Sequence, residues 1–510
     1  MNKRSRSSNA IKNIIVALLC QAVTFVFSFA TRTIFINLLG DEYNGLTSFF
    51  QNVVAMLSFT ELGVGTAIIY ALYKPIADND IERLKSLMDF YKNIYRVLAV
   101  IILVLGIIVT PTLKFFLETD VPLGNVSLYF LIYLCNTAVS YLFIYKSSIL
   151  NADQRNRTVK LITTIFLILK NVVEIGVLLI THSFIAYLCV QLVCTVLNNL
   201  TISTVANKYY PWLKEKATKL DKTERKSIFD DVKSMFVYRV GGILLNNSAS
   251  LIMSRIVGVV ILGFYSNYNL FIGAATTLLE LVFHALTGSL GNLNSSKDNK
   301  SSEKVLRECN FMAFFLYTIC AVGMFVLLDD VVYIWLGSER ILGKSVCFAM
   351  VANLYIFGML QGVMAYRTTT DLFRITKYII LVTCTLNIGL SIAMGIKWGL
   401  FGILIATSIA RMATNFWYEP LMLYKKIFNM PASKHFIRQV LYFATTLASG
   451  GITYFVCEKL FTEVTILTIA VKFVLCVAIP SILILVLYFK TEEFGAIKNR
   501  AFGLLKKIKR

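Results

Sequence analysis

Residues 464–488 read VTILTIAVKFVLCVAIPSILILVLY, twenty-five positions with one charged side chain, Lys472. Wound as an α-helix at 1.5 Å per residue, such a run is about 37 Å long, enough to cross the ~30 Å hydrocarbon core of a bilayer. Outward from it the same pattern recurs at 11–39, 46–70, 94–115, 123–147, 159–180, 185–206, 235–262, 265–290, 305–328, 345–366, 378–395, 400–423 and 437–457, which makes fourteen runs. Composition agrees: hydrophobic residues are 57% and charged residues 15% of 510, and mean hydropathy is +0.69, outside the range of soluble globular chains. The expectation is an all-α polytopic membrane protein with 14 transmembrane helices.

The N-terminus carries Lys3, Arg4, Arg6 and Lys12 before an apolar stretch, and Ser28-Phe29-Ala30 imitates a signal cleavage site. That stretch continues to Leu39, too long for a signal peptide, so an uncleaved first helix is expected.

Fifty Lys and Arg against 29 Asp and Glu give a formal charge of +21. Counted by segment on alternating sides, 38 bases lie on one side and 5 on the other, with 7 inside the runs. Cytoplasmic loops hold such an excess, so both termini are expected in the cytoplasm. The contacts expected for these loops are anionic membrane lipids, not nucleic acid. The ten cysteines fall almost wholly in apolar runs, without C-x-x-C or metal-like pairing with the three histidines, and read as small buried hydrophobes.

A basic segment at 207–233 divides the chain. Expected domains are an N-terminal lobe (1–206), this cytoplasmic linker (207–233), a C-terminal lobe (234–424), two further helices (437–489) and a basic tail (490–510). An offset of 223 carries Arg32, Leu39, Gly40 and Asn44 onto Arg255, Leu262, Gly263 and Asn267, and sets Glu61 opposite His284. Both copies start on the same side, so the lobes are expected to be parallel repeats.

Basic residues within the runs are Arg32, Arg96, Lys170, Arg239, Arg255, Arg411 and Lys472. Each costs about 2.5 to 3.5 kcal/mol at mid-membrane on insertion scales, so as a set they are expected to line water or to be paired. Arg96 and Arg239 sit near cytoplasmic ends and Lys472 can snorkel. Lys170 and Glu174 have the spacing of an intrahelical pair. In the first run Gln21, Thr24, Ser28 and Arg32 share one helical face. Asn247, Ser250, Ser254 and Arg255 form a second polar set, and Thr407, Arg411 and Asn415 a third.

Hydrogen bonding between helices explains the hydroxyls and amides but explains the guanidinium groups poorly. A water-filled cationic cavity is the alternative, and the planar fork of arginine suits a phosphorylated cargo. Candidate substrate-binding residues are therefore Arg32, Arg255, Arg411, Gln21, Thr24, Ser28 and Asn247. Glu61, Glu280, His284 and Glu174 are candidates for coupling to H+ or Na+, and each has a structural alternative as an arginine partner. No phosphate loop, H-E-x-x-H or G-x-S-x-G motif is present, so no catalytic residue, metal or organic cofactor is expected. Glu61-Leu-Gly-Val-Gly65 reads as a kink or close-packing point.

The stretches Thr31-Arg-Thr-Ile-Phe-Ile-Asn-Leu-Leu-Gly-Asp-Glu-Tyr-Asn-Gly45, Leu57-Ser-Phe-Thr-Glu-Leu-Gly-Val-Gly65 and Ile68 to Pro75 resemble the start of the Wzx-type oligosaccharide flippases. These belong to the multidrug/oligosaccharidyl-lipid/polysaccharide (MOP) exporter superfamily. The resemblance implies two six-helix lobes around a central cationic cavity, with two C-terminal helices appended. It implies alternating access and an undecaprenyl-diphosphate-linked oligosaccharide moved between leaflets of a bacterial plasma membrane for capsule or exopolysaccharide synthesis. Polysaccharide polymerase and glycosyltransferases would be its functional partners. Two other readings stay open: a cation-coupled drug exporter of the same superfamily, and a membrane-embedded polymerase or glycosyltransferase acting on the same carrier.

Overall fold

The computed structural model describes residues 3–58, 64–118, 123–294, 299–370, 372–496 and 498. Lipid offers no partner to backbone N–H and C=O groups, so an apolar chain that crosses it must bond internally. Every element named below is accordingly helical, and polar residues mark the ends: Asp80 accepts from Arg83 N, Asn125 from Leu128 N and Thr465 from Thr468 N, at 3.1 to 3.2 Å.

The chain forms two compact units, Met1–Gly263 and Phe264–Arg510. The first holds α1 (Lys3–Leu39), α2 (Asp41–Leu57), α3 (Val64–Asp78), α4 (Ile81–Val109), α5 (Leu113–Phe116), α6 (Val126–Tyr141), α7 (Ile144–Ala152), α8 (Asn156–Thr181), α9 (Phe184–Tyr209), α10 (Lys222–Ile256) and the first turn of α11 (Val259–Asn294). The second holds the rest of α11, then α12 (Asn299–Leu336), α13 (Lys344–Met359), α14 (Gln361–Thr369), α15 (Leu372–Thr376), α16 (Ile379–Ala413), α17 (Asn415–Met422), a π-helical turn over Leu423–Phe428, α18 (Ser433–Leu460) and α19 (Ile466–Tyr488).

Among the described residues nine helices are long and apolar enough to cross a membrane. Counting each of two bent pairs, α6 with α7 and α13 with α14, as one span makes eleven. One of the nine is two passes. At Gly399 (φ 57°, ψ −138°) the chain leaves helical geometry. Thr383 and Thr414, which would lie about 46 Å apart along a straight helix, have their hydroxyls 2.7 Å apart. Ser391 likewise meets the Ile403 carbonyl at 3.4 Å. The sequence runs 378–395 and 400–423 are thus the antiparallel limbs of a helical hairpin. Gly402 lets the limbs close, since a Cβ there would sit 2.1 Å from the Met394 carbonyl oxygen.

Helices extend past several expected boundaries. The segment 207–233 was expected as a linker, yet from Lys222 onward it is already α10. Likewise α12 continues past 328, the expected end of its apolar run, through Asp329 and Asp330, and both acids find basic partners. The second apolar run is split between α2 and α3, and Glu61 lies outside the described residues.

Although α10 was expected to open the second lobe, it packs on α2 and α3 within the first unit. The repeat motif accounts for the seam beside it. Asn44 Nδ2 donates to the Gly263 carbonyl at 3.0 Å. A Cβ on Gly45 would lie 2.0 Å from the Val259 oxygen, and one on Gly263 would lie 2.3 Å from the Asp41 oxygen. Backbone therefore meets backbone there, and neither wall can yield as a flexible side chain does. Gly263→Ala should overpack this seam by about 1 to 3 kcal/mol and lower the unfolding temperature of the detergent-purified protein. Gly176→Ala, at a position with nothing within 4 Å of the new methyl group, is the control, and equal melting of the two variants would refute the account.

In the second unit α18 and α19 pack on α12. Phe314 stacks on Tyr442 at 4.3 Å between ring centroids, with Tyr488 5.3 Å from Phe314. Val322, Val326, Cys457 and Cys476 continue that core. Seven of the ten cysteines are buried, while Cys135 and Cys189 are exposed.

Candidate substrate-binding site

In α1 the exposed side chains include Leu19 and Val26, each 62% exposed, whereas Gln21, Thr24, Ser28 and Arg32 are half-buried. This is the segregation expected of a span with one face toward lipid and one toward the protein or water. Among the described residues Gln21, Thr24 and Ser28 have no side-chain hydrogen-bond partner.

One turn of α1 is fixed to α8 and α9. Thr31 Oγ1 donates to Asn171 Oδ1 at 2.9 Å, and both residues are buried. Phe35 packs on Tyr187 with ring centroids 4.8 Å apart. Between these two contacts Arg32 shares its electrostatic surroundings with the Tyr187 phenol, and Tyr187 shares those of Glu174. Glu174 is fully buried, with the Gln191 side chain of α9 as a polar neighbour, and neither carboxylate oxygen receives a hydrogen bond of full geometry. Lys170 Nζ stands 3.7 Å away, close enough to offset charge but too far to donate. The first unit thus brings together Arg32, Tyr187, Glu174, Lys170 and Asn171 on three adjacent helices.

The other candidates are placed elsewhere. Arg255, in the last turn of α10, is ion-paired with Glu118 and lies 5.2 Å from the Phe115 ring centroid. The Glu118 backbone is itself bonded to the Ser254 carbonyl and to Val259 N at 3.2 and 3.1 Å. Asn247 bonds to the Ile243 carbonyl of its own helix at 2.8 Å. In the second unit Arg411 is buried, 5.5 Å from the Phe357 ring centroid. Nearby, Ser408 donates to Asn353 at 2.8 Å, tying α16 to α13. Glu280 has Tyr317 as an electrostatic neighbour, and the His284 side chain lies outside the described residues.

Lys472 does not reach the surface as a snorkelling residue would. Its Nζ donates to Asp330 at 2.6 Å, joining α19 to α12. Lys344 pairs with Asp329 at 3.5 Å, and Tyr268 donates to the same carboxylate at 2.8 Å. A further buried pair, Arg367 with Glu419 at 3.0 Å, joins α14 to α17. Sequence reasoning missed Asn171, Tyr187, Glu118 and Asp330. Asn171 was within reach, being a third polar residue beside Lys170 and Glu174 in an apolar run. No spacing rule reveals Lys472 with Asp330, whose partners are 142 positions apart.

Three solved structures share this fold. The lipid II flippase MurJ in an inward closed conformation superposes with a TM-score of 0.64 over 94% of this chain and 99% of that one, at 16% identity. An inward-facing multidrug resistance MATE family transporter of the MOP superfamily gives 0.56 over 78% and 95%, at 13% identity. The Vibrio cholerae MATE transporter VcmN in its bent form gives 0.53 over 84% and 98%, at 12% identity. No curated protein matches. The chain therefore has the fold of these three proteins, as the resemblance to Wzx-type flippases implied. The family model described as polysaccharide biosynthesis protein matches residues 10–287, more than half of the sequence, and the chain belongs to that family.

Proposed function

We propose that this protein is a flippase that moves an undecaprenyl-diphosphate-linked oligosaccharide from the inner to the outer leaflet of a bacterial plasma membrane, supplying a capsule or exopolysaccharide. The observation that carries the reading is the polar face of α1, half-buried and ending in Arg32, in a chain of the polysaccharide biosynthesis family. A guanidinium at that depth can hold a diphosphate through paired, charge-assisted hydrogen bonds, while Gln21, Thr24 and Ser28 offer hydroxyl and amide groups suited to sugars. Arg255, Arg411 and Asn247 are proposed to join in other stages of the cycle, with both termini in the cytoplasm and the polymerase and glycosyltransferases acting on either side of the step.

Glu174 is the coupling residue the geometry favours, because its buried carboxylate lies among Lys170, Tyr187 and Arg32. Glu61, Glu280 and His284 remain proposed alternatives for H+ or Na+. The drug-exporter reading would place acids rather than bases along the polar face of α1, and the residues there are Gln21, Thr24, Ser28 and Arg32.

The test is flipping of a lipid-linked oligosaccharide in proteoliposomes containing the purified full chain. We expect accelerated transfer under an ion gradient or membrane potential without ATP, and Glu174→Gln should remove dependence on a pH gradient while leaving the potential effect. Transfer no faster than in protein-free vesicles would overturn the flippase reading. Full pH-gradient dependence in Glu174→Gln would overturn the coupling assignment alone.

A further inference from the structure

A second feature lies on the face of the first unit that carries the basic 207–222 segment. The polar start of α4 extends about three turns before its apolar part, and the segment after α9 folds back along it. Ser86 and Thr218 hydroxyls meet at 2.8 Å, and Arg83 pairs with Glu224 at 2.6 Å. Tyr210 donates to Asp153 at 2.6 Å, and Arg155 lies 4.2 Å from the Tyr209 ring centroid, which fixes the other end. Between these anchors the chain closes a cavity of about 330 Å³, walled by α4, by Tyr145 of α7 and by the short 3-10 turn Pro211–Lys214.

The charges around this cavity are unbalanced. Lys85 is occupied, with Glu215 at 2.6 Å and Glu82 at 2.8 Å. Lys92 and Lys214 line the cavity, and no carboxylate lies within ion-pairing distance of either among the described residues. Behind Tyr145, Lys146 adds a third ammonium within the field of both, held at 2.6 Å from the Ser203 hydroxyl. Against these stand Asp89, whose side chain takes a bond from Asn93 at 3.3 Å, and the second of the two carboxylates that share Lys85, which leaves the surroundings with one positive charge in excess. Ammonium groups within one another's field repel, and an anion with more than one acceptor oxygen relieves that repulsion.

The remaining walls indicate where the anion comes from. Trp212 and Tyr145 are the aromatic types that sit at the boundary between lipid and water, and Met88 and Leu213 give the cavity an apolar flank. Basic pockets beside transmembrane helices on the positive side of a membrane protein hold lipid headgroups in this way. We propose that this pocket binds the phosphate of an anionic bilayer phospholipid, with Lys92 and Lys214 as its direct ligands and Lys146 contributing field. The site lies on other helices than the Arg32 cluster, so it stands whether or not the flippase reading does.

The test is native mass spectrometry of the full chain purified in detergent, titrated with phosphatidylglycerol and, separately, with phosphatidylcholine, undecaprenyl diphosphate and inorganic phosphate. The wild-type chain should bind phosphatidylglycerol more tightly than phosphatidylcholine. Lys92→Ala with Lys214→Ala should weaken phosphatidylglycerol about 25-fold, on the order of fivefold per lysine, and Lys222→Ala with Lys226→Ala, exposed on the same side but outside the cavity, should leave it within twofold. Equal losses in the two double variants would mean diffuse attraction and overturn the site. Lysine-dependent binding of inorganic phosphate or undecaprenyl diphosphate without binding of phosphatidylglycerol would overturn the assignment to a bilayer lipid.

Discussion

Replacing Arg32 with alanine should reduce export of surface polysaccharide at least about tenfold while the protein stays at wild-type levels in the membrane. The reasoning runs through the geometry of α1. Its outward side chains are apolar and exposed, and the face that ends in Arg32 is half-buried beside α8 and α9. A hydrogen bond to a charged group is worth about 1.5 to 3 kcal/mol, or roughly 10- to 150-fold if the bond to the diphosphate is realised during transfer. Insertion should not suffer, because removing a cation from the membrane lowers the cost of burial. Arg32→Lys should retain part of the activity, since lysine keeps the charge and loses the planar fork.

Arg255 should behave differently. Its pairing with Glu118 predicts that Arg255→Ala and Glu118→Ala cause similar losses and that the double variant is no worse than either. Complementation of a strain lacking the protein, scored for surface polysaccharide alongside membrane protein level, separates these cases. An abundant and fully active Arg32→Ala protein would rule out the phosphate-gripping role, and loss of the protein itself would assign Arg32 a structural one.

The contrast between these two arginines shows how far the sequence could be read. Helicity and membrane insertion were legible because an apolar run of membrane length has few alternatives once every backbone group must be bonded inside the lipid. The hairpin at Gly399 was legible as two runs with a short gap, and the contact of Thr383 with Thr414 now gives its geometry. The 223 offset sets Arg32 against Arg255 in the sequence, yet that match did not fix their surroundings. Arg32 faces Tyr187 from α9, while Arg255 is met by Glu118 from the segment after α5. Periodicity reports which residues share a face of one helix and carries no information about which distant helix that face meets. Lys472 and Asp330 make the same point, since Asp329 and Asp330 fell outside the apolar run while their basic partners could not be seen in the sequence.

The largest stability effect is expected at the pair formed by Arg367 and Glu419. Glu419 is fully buried, and Arg367 Nη1 reaches both its carboxylate oxygens at 3.1 and 3.0 Å. The pair joins α14 to the short helix α17, just before Pro420 removes a backbone donor from the same segment. Arg367→Ala would take a bidentate guanidinium from a fully buried carboxylate, a loss of up to about 3 to 5 kcal/mol. Glu419→Leu would remove the carboxylate instead, with a smaller loss because Arg367, at the end of α14, can swing toward water. Replacing both residues with apolar ones of similar volume, Arg367→Met with Glu419→Leu, removes the two charges together, so that variant should melt above Arg367→Ala alone despite carrying more substitutions. Thermal unfolding of the four detergent-purified proteins reads the order directly. A double variant that melts below Arg367→Ala would show that the charges act through other partners, and an Arg367→Ala protein as stable as wild type would show that the pair contributes nothing to holding α14 against α17.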